Sequence, residues 1–201
     1  MYKLYLVILF SLAKADNLLD RVSLEADPLA QCNDGTPAVY YRRPLNREED
    51  VKKLLIYLQG GGMCFPLIPG LIKTKRYQKP LIILISQGGG CEERCKDNNP
   101  LCTAATDPHL DLDDYYSDSI FSQDPAENPA LYDYNIAYVP YCSSDWYTGT
   151  RNASILTDGF VFHGKYIVMA IIEDLIQNTW ITEAEEVNNT LPFNRIETKY
   201  M

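Results

Sequence analysis

The sequence calls for an α/β sandwich. Residues 53–59 and Asn135–Val139 are short apolar runs of the kind that forms buried strands; the first runs into glycines and the second is stopped by Pro140. Residues 162–178 carry apolar side chains at three- and four-residue spacing, which predicts an amphipathic helix. Strand, glycine turn, strand and helix in this order predict a sheet with a helix packed on it. A chain of 201 residues is long enough for one domain with a core, and its 46% hydrophobic content is ordinary for a folded protein.

The elements follow in chain order. Residues 1–15, MYKLYLVILFSLAKA, read as a signal peptide: Lys3 is the basic start, residues 4–12 are apolar, and Ala13-Lys14-Ala15 fits the small-x-small cleavage pattern. An apolar run this short does not span a bilayer, which needs about 20 residues, so no stable membrane insertion is expected. Residues 16–31 read as a polar, acidic lead-in. CNDGTPAVYY, residues 32–41, is turn chemistry followed by a short β-prone tail. A charged loop precedes the strand at 53–59.

KPLIILISQGGGC, residues 79–91, echoes KKLLIYLQGGGMC, residues 52–64, with Gln59 and Gln87 standing 28 residues apart. The echo is either a small βαβ-like repeat or a chance likeness inside an insertion at 66–90. Residues 91–130, broken by four prolines, read as a long surface excursion with short helical turns held by bridges. Residues 141–159 read as loop. In the predicted helix, Ile167, Val168, Ile171, Ile172, Leu175 and Ile176 form the apolar stripe, with Lys165, Glu173 and Gln177 opposite. Residues 183–187 start another strand, and the tail at 188–201 shows no periodicity.

Removing residues 1–15 leaves 16 basic against 27 acidic residues, a net charge of −11. Such a chain is a poor partner for nucleic acid or an anionic membrane surface. Seven acids and no Lys or Arg lie between Asp107 and Glu127, in a spacing that is not an EF-hand loop. A solvated acidic surface is the expectation there. The six cysteines, Cys32, Cys64, Cys91, Cys95, Cys102 and Cys142, read as disulfides behind a signal peptide rather than as zinc ligands. No metal and no cofactor are expected. Six cysteines allow 15 connectivities, and Cys32 with Cys142 is one candidate pair. Asn152 and Asn188 open glycosylation sequons, which agree with secretion.

Two stretches hold candidate chemistry. Gly60-Gly61-Gly62 gives up three side chains at the end of a strand, either for a plain turn or so that backbone N–H groups converge on a ligand or a developing oxyanion. The pattern fits neither a dinucleotide fingerprint nor a Walker loop. PYCSSDWYTGT, residues 140–150, puts Ser143, Ser144 and Asp145 in one loop. Neither serine lies in Gly-x-Ser-x-Gly, a pattern absent from the whole chain, so these three read as loop-tying residues rather than as a nucleophile and its partner. His163 at the helix start reads as a packing or capping residue, and His109 as exposed.

Three stretches resemble one family, the pectin acetylesterases and Notum carboxylesterases. CNDGTPAVYY is similar to its Cys-Asn-Asp-Gly-Ser-Pro-Ala stretch, with Thr36 in place of serine. LQGGGMCF resembles Glu-Gly-Gly-Gly-Trp-Cys, with Gln59 and Met63 replacing glutamate and the aromatic. PYCSSDWYTG resembles Pro-Tyr-Cys-Ser-Ser-Asp-Val-Trp-Ser-Gly. The likeness covers roughly residues 30–187, less the stretch near 66–90.

The resemblance implies an α/β-hydrolase-like sandwich with a disulfide-rich loop region, and a secreted, monomeric serine carboxylesterase acting on an acylated carbohydrate or acylated protein. It implies that Gly61 and Gly62 supply oxyanion-hole amides, with Gly60, Ser143, Ser144 and Asp145 structural nearby. Residues 180–187, WITEAEEV, look like the approach to the family's strand, but the Gly-x-Ser-x-Gly that should follow it is missing, and the family's acid and base come later still. The expectation is therefore that residues 16–187 are the N-terminal part of the esterase domain, that 188–201 is a tail outside the family, and that this chain is inactive. A partial sheet of that kind is expected to leave an edge unpaired and a face uncovered. The alternative is a non-catalytic, secreted, disulfide-rich binding module.

Overall fold

A computed structural model describes residues 18–43, 53–64, 90–112, 119–178, 186–191 and 194–196. The signal-peptide stretch, the proposed insertion up to residue 89 and the last five residues of the tail lie outside the described residues.

Seven strands form one mixed sheet: β1 (Leu18–Ser23), β2 (Val39–Arg42), β3 (Lys53–Leu58), β4 (His109–Asp111), β5 (Asn135–Val139), β6 (Glu186–Leu191) and β7 (Asn194–Ile196). Their spatial order is β4-β1-β2-β5-β3-β6-β7. β3 is the middle of a parallel trio, paired with β5 on one side and β6 on the other. The remaining pairings are antiparallel. Among the described residues two α-helices accompany the sheet: α1 (Cys91–Arg94), one turn long, and α2 (Gly164–Asn178).

The trio is parallel because the chain returns through long connections, one of them carrying α2. β3 and β5 are buried on both faces, which is why they read as continuous apolar runs rather than as alternation. Leu54, Ile56 and Leu58 of β3 pack with Ala137 and Val139 of β5 beneath Ile167, Ala170, Ile171 and Leu175 of α2. Leu55, Ile136 and Tyr138 face the other way and meet Leu112 and Phe121. Tyr57 stacks on Tyr138 and meets Phe121 edge-on, with centroids 5.5 and 5.0 Å apart. The Tyr40 hydroxyl on β2 donates to Asp174 of α2 at 2.6 Å, tying sheet to helix.

Several sequence expectations are corrected. Residues 18–23 are not a lead-in but the strand β1, whose Leu19 is fully buried. The excursion at 91–130 is more than surface, because Leu112 and Phe121 close the second face of the sheet and residues 109–111 add the edge strand β4. The expected strand at 183–187 is β6, and it extends through tail residues 188–191. β7 pairs antiparallel with β6 and is the last strand of the sheet on that side. The stripe on α2 is also narrower than its apolar residues suggest. Ile172 and Ile176, with Met169, are exposed, because the face that packs is centred on Ile167, Ile171 and Leu175. Among the described residues no helix is long and apolar enough to cross a membrane.

Three disulfides brace the molecule: Cys32–Cys142, Cys64–Cys91 and Cys95–Cys102. The first joins the loop before β2 to the loop after β5 across 110 residues. Cross-linking so distant a pair restricts the unfolded chain strongly, so replacing Cys32 and Cys142 together with alanine is expected to cost about 2–5 kcal/mol. Urea unfolding of the two proteins checks this; an unchanged midpoint would show that the bridge contributes no net stability.

Candidate functional site

The glycine corner leaves β3 at its carboxyl end, where α/β sheets open their ligand crevices. Two glycines there have separate reasons. A Cβ on Gly61 would overlap the Tyr141 ring, and Gly62 has a φ of 74°, in the left-handed region that side chains disfavour. Gly60 is exposed.

Side chains from elsewhere hold the corner by its carbonyls. Arg94 of α1 donates from Nη2 to the Gly61 carbonyl. The Tyr141 hydroxyl donates to the Gly62 carbonyl at 2.7 Å and accepts from the Trp146 amide at 2.7 Å. Burial pushes the Tyr141 pKa up to about 12, so this hydroxyl keeps its proton at neutral pH. The Gln59 side chain in turn accepts from the Tyr141 amide at 2.9 Å. Cys64 donates its amide to the Ser144 carbonyl at 3.3 Å, and its disulfide to Cys91 ties the corner to α1. The amides of Gly61 and Gly62 bond to no acceptor among the described residues.

The neighbouring loop is built around Asp145, which is buried. Its carboxylate accepts from Ser143 Oγ at 2.6 Å, from the Tyr147 amide at 2.9 Å and from the Gly164 amide at 2.8 Å, and it faces the Gly149 amide. A Cβ on either Gly149 or Gly164 would collide with this carboxylate. Gly164 opens α2, so the negative charge also stands at the positive end of the helix dipole. Within this loop Ser144, Trp146 and Tyr147 all have φ between 52° and 59°. Such backbone costs on the order of 1–3 kcal/mol per residue and persists where surrounding bonds over-determine it. Ser144 Oγ donates to the Leu101 carbonyl at 3.1 Å. Asn33, fully buried, donates from its amide to the Ser143 and Val161 carbonyls at 2.7 and 2.6 Å and closes the loop from below.

Gly60–Gly62 and Ser143–Asp145 thus meet across the carboxyl ends of β3 and β5. His163 is buried with Nε2 at 2.7 Å from Asn152 Oδ1, and His109 is exposed beside Asp20 at 3.0 Å. Asn152 is exposed; Asn188 lies inside β6, its backbone opposite Leu55. Among the described residues no cluster of His, Cys, Asp or Glu could hold a metal ion. The sequence reading missed Arg94 and Tyr141. The one available signal was placement: Arg94 stands between two half-cystines, and Tyr141 directly precedes a third.

A mixed sheet with a parallel centre, a glycine corner at the end of its middle strand, one long helix and three disulfides is a partial α/β-hydrolase-like sandwich. The chain belongs to the pectinacetylesterase family, whose profile matches residues 13–188. It is 31% identical over 164 residues to the palmitoleoyl-protein carboxylesterase NOTUM of Schmidtea mediterranea, covering 78% of this chain and 24% of that protein. The human palmitoleoyl-protein carboxylesterase NOTUM is 26% identical over 156 residues, covering 78% of this chain and 26% of that protein. The chain therefore spans about a quarter of the length of these relatives.

Replacing Asp145 with asparagine keeps the shape but turns an NH2 group toward donors, so a loss of about 2–3 kcal/mol is expected at neutral pH. Burial outweighs the bonds to Asp145 and pushes its carboxyl above the ordinary value of 3.8. The native state then holds this proton to higher pH than the unfolded chain does. The group's contribution to stability is greatest below that ordinary value and falls as pH rises through the raised one. The gap between wild type and Asp145→Asn, followed by urea unfolding from acid to neutral pH, is expected to narrow as pH rises. A widening gap would mean that the carboxyl is depressed instead.

Proposed function

We propose that these residues are the oxyanion-binding part of a secreted serine carboxylesterase that removes an O-acyl group from a carbohydrate or a protein. The observation that carries this reading is the pair of amides, Gly61 and Gly62, that bond to no acceptor among the described residues and stand at the carboxyl end of the middle parallel strand. In acyl transfer, a hydroxyl attacks the ester carbonyl and negative charge gathers on the carbonyl oxygen. Donors fixed in advance at that position are worth more than flexible ones, because they need no reorganisation as the charge develops. Oxyanion holes of α/β-hydrolases draw one amide from the loop after the third strand and another from the residue following the nucleophile. The corner after β3 matches the first of these.

The nucleophile's Gly-x-Ser-x-Gly is not among the 201 residues. Ser143 and Ser144 do not replace it. Ser143 is fully buried and donates to Asp145, and the equally buried Ser144 donates to a backbone carbonyl. These residues alone therefore bind the charge without generating it, and the chain by itself does not turn over esters. Secretion is supported by the basic-apolar-small start of the sequence and by three disulfides, which form in oxidising compartments. The pectinacetylesterase profile and the palmitoleoyl-protein relatives supply the two ester classes for the substrate.

The purified chain is expected to hydrolyse p-nitrophenyl acetate no faster than a heat-denatured control. A rate abolished by a serine-directed organophosphate would refute the assignment of a nucleophile outside these residues.

A further inference from the structure

The Gly61–Gly62 peptide lies between two residues without side chains, and Gly62 has a positive φ. Little in its own covalent structure stops such a peptide plane from flipping. Yet a trans peptide points its carbonyl and the following N–H in opposite directions, and the chain has no cis bonds among the described residues. Whatever holds the Gly61 carbonyl therefore aims the Gly62 amide.

Arg94 holds it. The guanidinium donates to that carbonyl and lies 5.8 Å from the centre of the Tyr141 ring. Its residue is nine-tenths buried, and its Nε has no partner among the described residues. Among the described residues no carboxylate forms an ion pair with it. Buried cations are ordinarily paired with anions, and an uncompensated one is costly. The backbone bearing it is fixed on both sides: Cys91 is bridged to Cys64 beside the corner, and Cys95 to Cys102.

Building on the reading of the corner as an oxyanion site, we propose that Arg94 is a positioning residue that orients and polarises the Gly61–Gly62 peptide, aiming the Gly62 amide at the developing oxyanion. The hydrogen bond sets direction. The guanidinium charge withdraws electron density through the carbonyl and makes the opposite N–H a stronger donor, as successive hydrogen bonds polarise one another in a low-dielectric site. The positive charge also raises the affinity of the corner for an anion without touching it.

The test uses the isotope-labelled 201-residue chain and ethyl methylphosphonate, a tetrahedral monoanion shaped like the oxyanion. In the wild type the Gly61 and Gly62 amide protons are expected to move downfield, with saturation. Arg94→Met removes both donor and charge. It is expected to shift the Gly61 carbonyl 13C resonance in the free protein, weaken phosphonate binding by at least about tenfold, and abolish the response at Gly62. Arg94→Gln restores a donor without charge. It is expected to recover the Gly61 carbonyl shift but only part of the affinity, a split that a packing role would not produce.

Wild-type affinity and an unchanged Gly62 response in both variants would overturn the proposal while leaving the oxyanion reading intact. If Arg94→Met does not fold, Arg94→Gln alone decides: full affinity overturns the role of the charge. Wild-type amides that ignore the phosphonate would instead sink the oxyanion reading and this proposal with it. The Gly61 carbonyl resonance would still report whether Arg94 holds the peptide.

Discussion

The buried carboxylate of Asp145 is the interaction on which the site depends. Four groups aim at it from two elements: Ser143, Tyr147 and Gly149 from the loop, and Gly164 from the start of α2. A loop with three left-handed residues among four would otherwise relax to other conformations. Fixing that loop places the Trp146 amide on the Tyr141 hydroxyl, and that hydroxyl on the Gly62 carbonyl. The same carboxylate sets where α2 begins, and α2 covers one face of the sheet from whose end the glycines emerge. One acid thus joins a helix start, a strained loop and the corner, so damage to it is felt 80 residues away in sequence.

What the sequence made legible follows from where the information is stored. β3, β5 and α2 are internal elements, and burial writes itself into a strand or helix as a run of apolar residues with a fixed period. β1 and β4 lie at the sheet margin. β1 carries one fully buried leucine, and β4 is three residues of His-Leu-Asp, so their strand state comes from their partners rather than from their composition. β6 extends into a tail with no alternation for the same reason: its register against β3 is a property of the pair. On α2 the opposite error arises. Ile172 and Ile176 satisfy a helical period yet are exposed, because period alone does not say how wide the packed face is.

The site divides in the same way. The triple glycine and the Ser-Ser-Asp loop were visible because both break ordinary composition. Their meaning was not, since one glycine answers to a neighbouring aromatic ring and the next to a backbone angle. Arg94 and Tyr141 were invisible because a side chain bonding a distant carbonyl leaves no periodic trace. Only the flanking cysteines marked them, and sequence alone does not say which cysteine joins which.

The disulfides and the polar network support different aspects of the corner. Cys64–Cys91 and Cys95–Cys102 bring the backbone of α1 to the corner, but a bridge at the backbone does not choose which way a glycine peptide faces. That choice belongs to Arg94 and Tyr141, which grip the two successive carbonyls from their own sides. If covalent proximity were enough, a buried guanidinium with no carboxylate partner among the described residues would be a net cost, and an apolar side chain could fill the space more stably. Its place beside two amides that bond to no described acceptor fits a role in directing the Gly62 amide. Holding the Gly61 carbonyl fixes the direction of the Gly62 N–H on the same peptide, so that donor needs no reorganisation when negative charge develops.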